Sequence, residues 1–285
     1  MCSGIRIICE DGSVLVARTL EFDMNLEYTT YSDQNGKGIK GNLPGRTDRY
    51  VIDGVNRHSI TVMAFYFSGY TEYSSRPVAN NINIPSLEVA EFLLTARSID
   101  DVREIARTLT VLDAPYEPLG YTVPLHWFCV DGNGNCVVIE CVNGVTVVYD
   151  NPYCIMTNGP TFREHAENIS NISNISNISN ISKLSPFSRT VSGSGLLGLP
   201  GDYTSTSRFI RLHVFQRYHT IPACVHEGIN TTFHILNSFD IVKGLDLVMA
   251  GGTYKPLYTQ YTIVYDVGKK RAFYKTYAQQ NIQNF

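Results

Sequence analysis

The chain has 285 residues, enough to bury a substantial core, and with 44% hydrophobic and 17% charged residues it reads as one globular domain spanning 1–285. A formal charge of −3 with no run of Lys and Arg longer than Lys269-Lys270-Arg271 argues against a nucleic-acid partner, and no segment is apolar for long enough to span a membrane as a helix. Seven cysteines, an odd number without CxxC spacing, point to reduced thiols and a cytoplasmic setting, and Arg6, Glu10, Asp11 and Arg18 interrupt any secretory signal at the start.

Taken in chain order, residues 5–9 and 13–17 read as two strands joined by Glu10, Asp11 and Gly12, which puts residue 2 at the mouth of a hairpin. Asp53-Gly54-Val55-Asn56 reads as a turn, and 59–67, rich in β-branched and aromatic residues, as a third strand. Helices are expected over 87–96 and 99–109, the second opened by Ser98 as cap with Asp101 three positions on. From 125 to 156 the pattern is an antiparallel meander turning at Asp131-Gly132-Asn133-Gly134 and at Asn143-Gly144. Further helices near 208–218 and 231–239 precede closing strands over 257–265 and 271–277. Blocks of strands alternating with blocks of helices make the fold class α+β.

Residues 168–182 are five tandem copies of Asn-Ile-Ser, a period of three that suits neither helix nor strand, so a low-complexity surface loop is expected. Each copy is also an N-glycosylation sequon, which matters only in a secretory compartment. The Ser192-Gly193-Ser194-Gly195 stretch lacks the Lys-Ser or Lys-Thr of a phosphate loop and reads as turn chemistry. Seven histidines show no paired-ligand spacing, so neither a metal nor another cofactor is expected, and His126 beside Trp127 reads as a hydrogen-bonded core residue.

Cys2 offers a specific chemistry. Removing Met1 would leave a thiol and a free α-amine on one residue, and since a model thiol titrates near ~8.5 and an α-amine near ~7.7 to 8.0, modest electrostatic help yields a nucleophile beside its own proton carrier. Position alone does not separate this from an incidental cysteine.

The rest of the chain does. Met1-Cys2-Ser3-Gly4, Ala17-Arg18-Thr19-Leu20-Glu21-Phe22, Asp53-Gly54-Val55-Asn56, Pro124-Leu125-His126-Trp127, Met156-Thr157-Asn158-Gly159-Pro160, Leu199-Pro200-Gly201-Asp202, Ser207-Arg208-Phe209-Ile210-Arg211 and Thr259-Gln260-Tyr261-Thr262 resemble, in order and spacing, the choloylglycine hydrolase family of penicillin V acylases and bile salt hydrolases. The resemblance implies a four-layer αββα N-terminal nucleophile hydrolase sandwich. It implies that Arg18 sets a guanidinium against the Cys2 nucleophile, where positive charge favours the ionised sulfur. Glu21 falls where the family usually has Asp bonded to the N-terminal amine. Asn158 falls at the oxyanion-hole asparagine, Tyr66 at the position whose backbone amide is the second oxyanion donor, and Arg208 behind the nucleophile, with Asp202 in the same motif. As generic residues, Arg208 and Asp202 read equally as charges at a helix start.

The resemblance further implies a small-molecule acyl amide as substrate and a homotetramer as the assembly. Tyr66, followed by Phe67, Gly69, Tyr70, Glu72 and Tyr73, is similar to penicillin V acylases of the Gram-positive type, and a flat aromatic wall suits a phenoxyacetyl group. Bile salt hydrolysis and acyl-homoserine lactone cleavage are the alternatives within the class. A catalytically silent binding protein of the same fold, suggested by Glu21 and by the repeat after Asn158, is the alternative outside it.

Overall fold

The computed structural model describes residues 1–23, 26–42, 49–117, 119–174, 196, 198–250 and 252–285. Its first hairpin joins β1 (Cys2–Ile8) to β2 (Val14–Phe22), both longer than the sequence pattern suggests. These strands are covered on both faces, so the buried Ser3, Arg18, Thr19 and Glu21 interrupt the apolar pattern without ending the strand.

An antiparallel meander follows: β3 (Glu27–Asp33), β4 (Gly36–Asn42), β5 (Tyr50–Asn56) and β6 (Thr61–Tyr66). The Asp53-Gly54-Val55-Asn56 stretch is therefore strand and not turn. Its glycine serves close approach, because a Cβ on Gly54 would collide with the Tyr31 hydroxyl. Its aspartate is buried, accepting hydrogen bonds from Tyr261 and Tyr265.

The helix expected over 87–96 is only a 3-10 turn at Ser86–Glu88 and α1 (Val89–Leu93), while α2 (Ile99–Thr108) runs as expected. Ser98 accepts from Asp101 N at 3.0 Å, but the Asp101 carboxylate turns to Arg97 N at 2.9 Å, so only half of a capping box forms. Flanking them, β7 (Ile82–Pro85) and β8 (Leu109–Leu112) pair in parallel.

The second meander holds β9 (Leu125–Val130), β10 (Cys136–Val142) and β11 (Val145–Asp150). The chain then leaves it, because β12 (Ile155–Met156) pairs with β1 instead, Gly4 opposite Met156 and Ile5 opposite Ile155. Periodicity reads strands but not which sheet they join.

The loop expected over 168–182 is corrected in part, since α3 (Phe162–Asn174) carries residues 168–174 as helix with Ile169 buried. A helix already begun at Phe162 propagates into a sequence that would not nucleate one. Repeat residues 175–182, and Ser192-Gly193-Ser194-Gly195, lie outside the described residues. Then α4 (Ser205–Tyr218) and α5 (Val225–Asn237) start earlier than the pattern suggests, and β13 (Asp246–Ala250), β14 (Thr253–Asp266), β15 (Arg271–Thr276) and β16 (Gln283–Asn284) close the chain.

Among the described residues the strands form two seven-stranded sheets. One is ordered β12-β1-β2-β14-β15-β16 with β13 on β14, the other β11-β10-β9-β6-β5-β4-β3. α4 and α5 cover the first, α1 and α2 the second, giving layers in the order αββα. One buried cluster joins the facing sheets to the α4 and α5 side, and the other fixes α1 and α2 to the far face of the second sheet. The sheets press together directly behind residue 2: a Cβ on Gly4 would meet Phe65 Cζ at 2.7 Å.

Candidate active site

The register of β1 on β2 decides what faces what. Cys2 opposes Leu20 and Gly4 opposes Arg18, so these side chains share the inner face, while Ser3, Thr19 and Glu21 share the face turned toward α4. Cys2 is buried between the sheets, and Arg18 Nη2 donates to its Sγ at 2.6 Å.

Arg18 is wholly buried and held on every side. Nη1 donates to Ala64 O and lies 3.8 Å from Asp53 Oδ2, and the guanidinium carbon stands 4.4 Å from the Phe65 ring centroid. Asp53 takes the Tyr261 and Tyr265 hydroxyls at 2.5 Å each. Burial raises the Asp53 carboxyl, while the Arg18 charge and the two tyrosines pull it back. Sequence reasoning places Arg18 but misses Asp53, its counter-ion; the available signal is an aspartate in a run otherwise apolar enough to be strand.

Asn158, just beyond β12, is oriented by its neighbours. Its Oδ1 accepts from Arg208 Nη2 at 2.8 Å and from Cys2 N at 2.8 Å, which turns Nδ2 outward to donate to Tyr66 O at 2.7 Å and leaves the second amide hydrogen for another acceptor. Tyr66 ends β6. Since Phe67 N donates to Pro124 O at 2.8 Å, Phe67 occupies a hydrogen-bonded position of the β6–β9 ladder. The Tyr66 N–H therefore points away from β9, on the same side as the carbonyl that meets Asn158, beyond the last β5–β6 pair at Asp53 and Met63. Arg208 gathers the rest, donating from Nη1 to Cys2 O and to Ser3 Oγ (2.9 Å) and from Nε to Tyr203 O (2.9 Å).

Met1 is present, so Cys2 N is a peptide nitrogen standing where a free amine would be after its removal. The Met1 amine donates to Glu21 O at 2.7 Å and Glu21 N donates back to Met1 O at 2.8 Å, extending the ladder by one pair. The Glu21 carboxyl is buried: Oε1 accepts from Thr259 at 3.1 Å, and Oε2 has no hydrogen bond of normal geometry. Burial raises its pKa, against the Met1 amine and Arg208.

An apolar slot of about 60 Å³ opens beside Cys2, with Leu20, Phe22, Ile52, Tyr66, Tyr121 and Leu125 on its walls. Of the aromatic stretch after Tyr66, Phe67 points away, buried and stacked on His126 at 4.1 Å, and Tyr73 is tied to Leu125 N at 2.7 Å. Asp202 remains exposed just before α4, whose cap is Thr204, and accepts from Thr204 and Ser207, which hold its carboxyl at about 2. His126 is a core residue, its ring nitrogens 3.2 Å from Glu140 and 3.1 Å from Thr157 O. His165 carries no signal in the sequence: its Nε2 lies 2.9 Å from Asn158 O, its ring stacks on Phe209 at 4.3 Å, and burial lowers it to about 4. Among the described residues no group of three or more His, Cys, Asp or Glu is placed to hold a metal ion, and no helix is long and apolar enough to cross a membrane.

Known proteins share both this sequence and this fold. Residues 2–285 match the family described as linear amide C–N hydrolases, choloylglycine hydrolase family. The chain is 41% identical over 288 residues to an uncharacterized protein of Paramecium bursaria Chlorella virus 1, covering 99% of both. It is 29% identical to a bile salt hydrolase/transferase of Clostridium perfringens, covering 99% of this chain and 91% of that one. A structure of a conjugated bile acid hydrolase variant from Clostridium perfringens superposes with TM-score 0.77 at 22% identity, covering 100% of this chain and 92% of that one. Penicillin V acylase from Agrobacterium tumefaciens does so with TM-score 0.69 at 17% identity, covering 100% and 86%.

Proposed function

The chain belongs to the choloylglycine hydrolase family, an α+β N-terminal nucleophile hydrolase that cleaves carbon–nitrogen bonds of linear amides, and from that premise we propose how it reacts and on what. With Met1 removed, the Cys2 sulfur attacks the amide carbonyl and its proton passes to the α-amine of the same residue. The oxyanion takes the Tyr66 backbone N–H and the outward hydrogen of Asn158 Nδ2. Collapse expels the amine product, protonated by the α-amine, and leaves a thioester on Cys2, which water hydrolyses with the same amine as base.

Two contacts and one unpaired acceptor support the roles around the nucleophile. Arg18 at 2.6 Å from Sγ supplies charge to the sulfur, Arg208 fixes Asn158 through Oδ1, and Glu21 Oε2 is an acceptor left for the amine that Met1 removal frees.

The substrate we propose is an amide with a compact aromatic acyl group of the phenoxyacetyl kind. The observation that carries this is the small apolar slot with Phe22, Tyr66 and Tyr121 among its walls, a size and lining that favour a flat ring over a sterol. Relatives named as bile salt hydrolases favour a second reading, hydrolysis of glycine- or taurine-conjugated bile salts. Parallel assays on penicillin V, a conjugated bile salt and an acyl-homoserine lactone decide between them. A penicillin V rate below the bile-salt rate would overturn the first reading. Intact mass with penicillin V separates a turning-over enzyme, which shows Met1 loss and a transient acyl adduct, from a silent binding protein, which shows neither adduct nor product. Reduced thiols support a cytoplasmic setting, and the exposed Leu247, Met249 and Tyr254 of the β13–β14 hairpin support a homo-oligomer, the tetramer of the resemblance.

A further inference from the structure

A second thiol site lies toward the other end of β1 from Cys2, apart from the chemistry above. Arg6 N donates to Cys154 O at 2.9 Å, and Arg6 Nη2 donates to Cys154 Sγ at 2.5 Å. Cys136, first residue of β10, is brought to the same place by Asn151, whose N donates to Cys136 O at 2.9 Å and whose Oδ1 accepts from Cys154 N at 2.9 Å. The neighbouring Cys136 thiol, helped by the Arg6 charge, lowers the Cys154 thiol against the effect of burial, while burial and the neighbouring sulfur raise Cys136. Burial without such partners acts the other way: Cys129 is pushed up, and Cys141 up to about 12. An ionised sulfur beside a protonated one is the arrangement of an attacking and a resolving thiol.

We propose that Cys154 and Cys136 form a peroxide-reactive dithiol that closes to a disulfide, a modification site separate from Cys2. The Cys154 sulfur attacks one peroxide oxygen; the S–O bond forms, the O–O bond breaks, and the leaving hydroxide takes a proton to become water. The Cys136 sulfur then attacks Cys154, the S–S bond forms, and the sulfenic oxygen departs as water with the Cys136 proton. Two electrons leave the thiols and reduce one peroxide to two waters. Cys154 is 4% exposed and Cys136 6%, with the half-buried Arg6 beside them.

The test is peroxide titration of the full chain followed by peptide mapping, with Cys2→Ser run in parallel to remove the competing nucleophile. The expected result is a Cys136–Cys154 linked peptide in both chains, and in Cys136→Ser a sulfenic acid trapped on Cys154. Arg6→Met should slow the reaction about threefold, since the lost thiolate fraction is partly offset by higher nucleophilicity. In the unmutated chain, alkylation of Cys154 should show its pH inflection below neutrality. Absence of the linked peptide, trapping on Cys136 in place of Cys154, or an inflection in the ordinary thiol range near ~8.5 overturns the proposal.

Discussion

Two cysteine–arginine pairs stand on the first two strands and what they pair with, and they differ in what lies behind the arginine. At Cys2 the guanidinium of Arg18 is fully buried between Asp53, the Phe65 ring and Ala64 O. At Cys154 the guanidinium of Arg6 is half-buried, its Nε lacks a hydrogen-bond partner, and the group that completes the site is a second thiol. A buried cation with its own carboxylate has one orientation available to it; a cation at the edge of the protein shares its charge with solvent. The first pair is built to hold a nucleophile in register with an oxyanion site, the second to choose which of two sulfurs ionises.

The widest gap between the two is expected in turnover. Cys2→Ala should lower kcat on the best of the three substrates by on the order of 10⁴-fold or more, with no acyl adduct by intact mass, whereas Cys154→Ser should leave kcat within about twofold. Equal losses would erase the distinction. Next comes Asp53→Asn, which leaves Arg18 buried without its counter-charge. It should cost about 3 to 5 kcal/mol in urea unfolding, against far less for Arg6→Met, which has no carboxylate partner to strand.

How much of this can be read from the chain alone follows the same division. Cys2, Arg18, Glu21, Asn158 and Arg208 fall in motifs with fixed spacing, and the structure brings all of them to one corner. Asp53 is hidden because Asp-Gly is also turn chemistry, and only the pairing of β5 with β4 and β6 shows it to be strand. The sequence pattern gives β12 the wrong neighbours because alternation along a strand carries no information on its partner. The start of the Asn-Ile-Ser repeat is helix for a reason outside the repeat, the preceding turn at Phe162. The wall of the slot is legible only in part: Tyr66 lines it, but Phe67 stacks on His126 instead.

A smaller effect sharpens the role of Asn158. Asn158→Ala removes one oxyanion donor and also the acceptor for Arg208 Nη2, and should lower kcat by roughly 10² to 10³-fold with little change in KM. Steady-state kinetics at saturating substrate checks it. A matching rise in KM at constant kcat would move Asn158 from the reacting oxygen to ground-state binding.

His165 supplies the smallest expected effect and the contrast to Arg18, because here burial outweighs the one carboxylate near it, Glu164. Its Nδ1 is buried without a hydrogen-bond partner, its Nε2 meets Asn158 O, and its pKa falls from 6.5 to about 4. Above about pH 6.5 the imidazole is neutral in both folded and unfolded chains and contributes no pH dependence. As pH falls from there toward about 4, the unfolded chain takes up a proton that the folded chain refuses, so stability declines through that window, by on the order of 3 kcal/mol in all, and the effect is complete below it. His165→Gln should remove that slope from thermal unfolding curves while its amide still donates to Asn158 O, keeping kcat near wild type at neutral pH. His165→Leu removes the slope and the donor together, and should lower kcat about tenfold without moving KM, the expected loss for one hydrogen bond that aims the oxyanion donor. If the leucine and glutamine variants share one kcat, His165 packs against Phe209 and positions nothing.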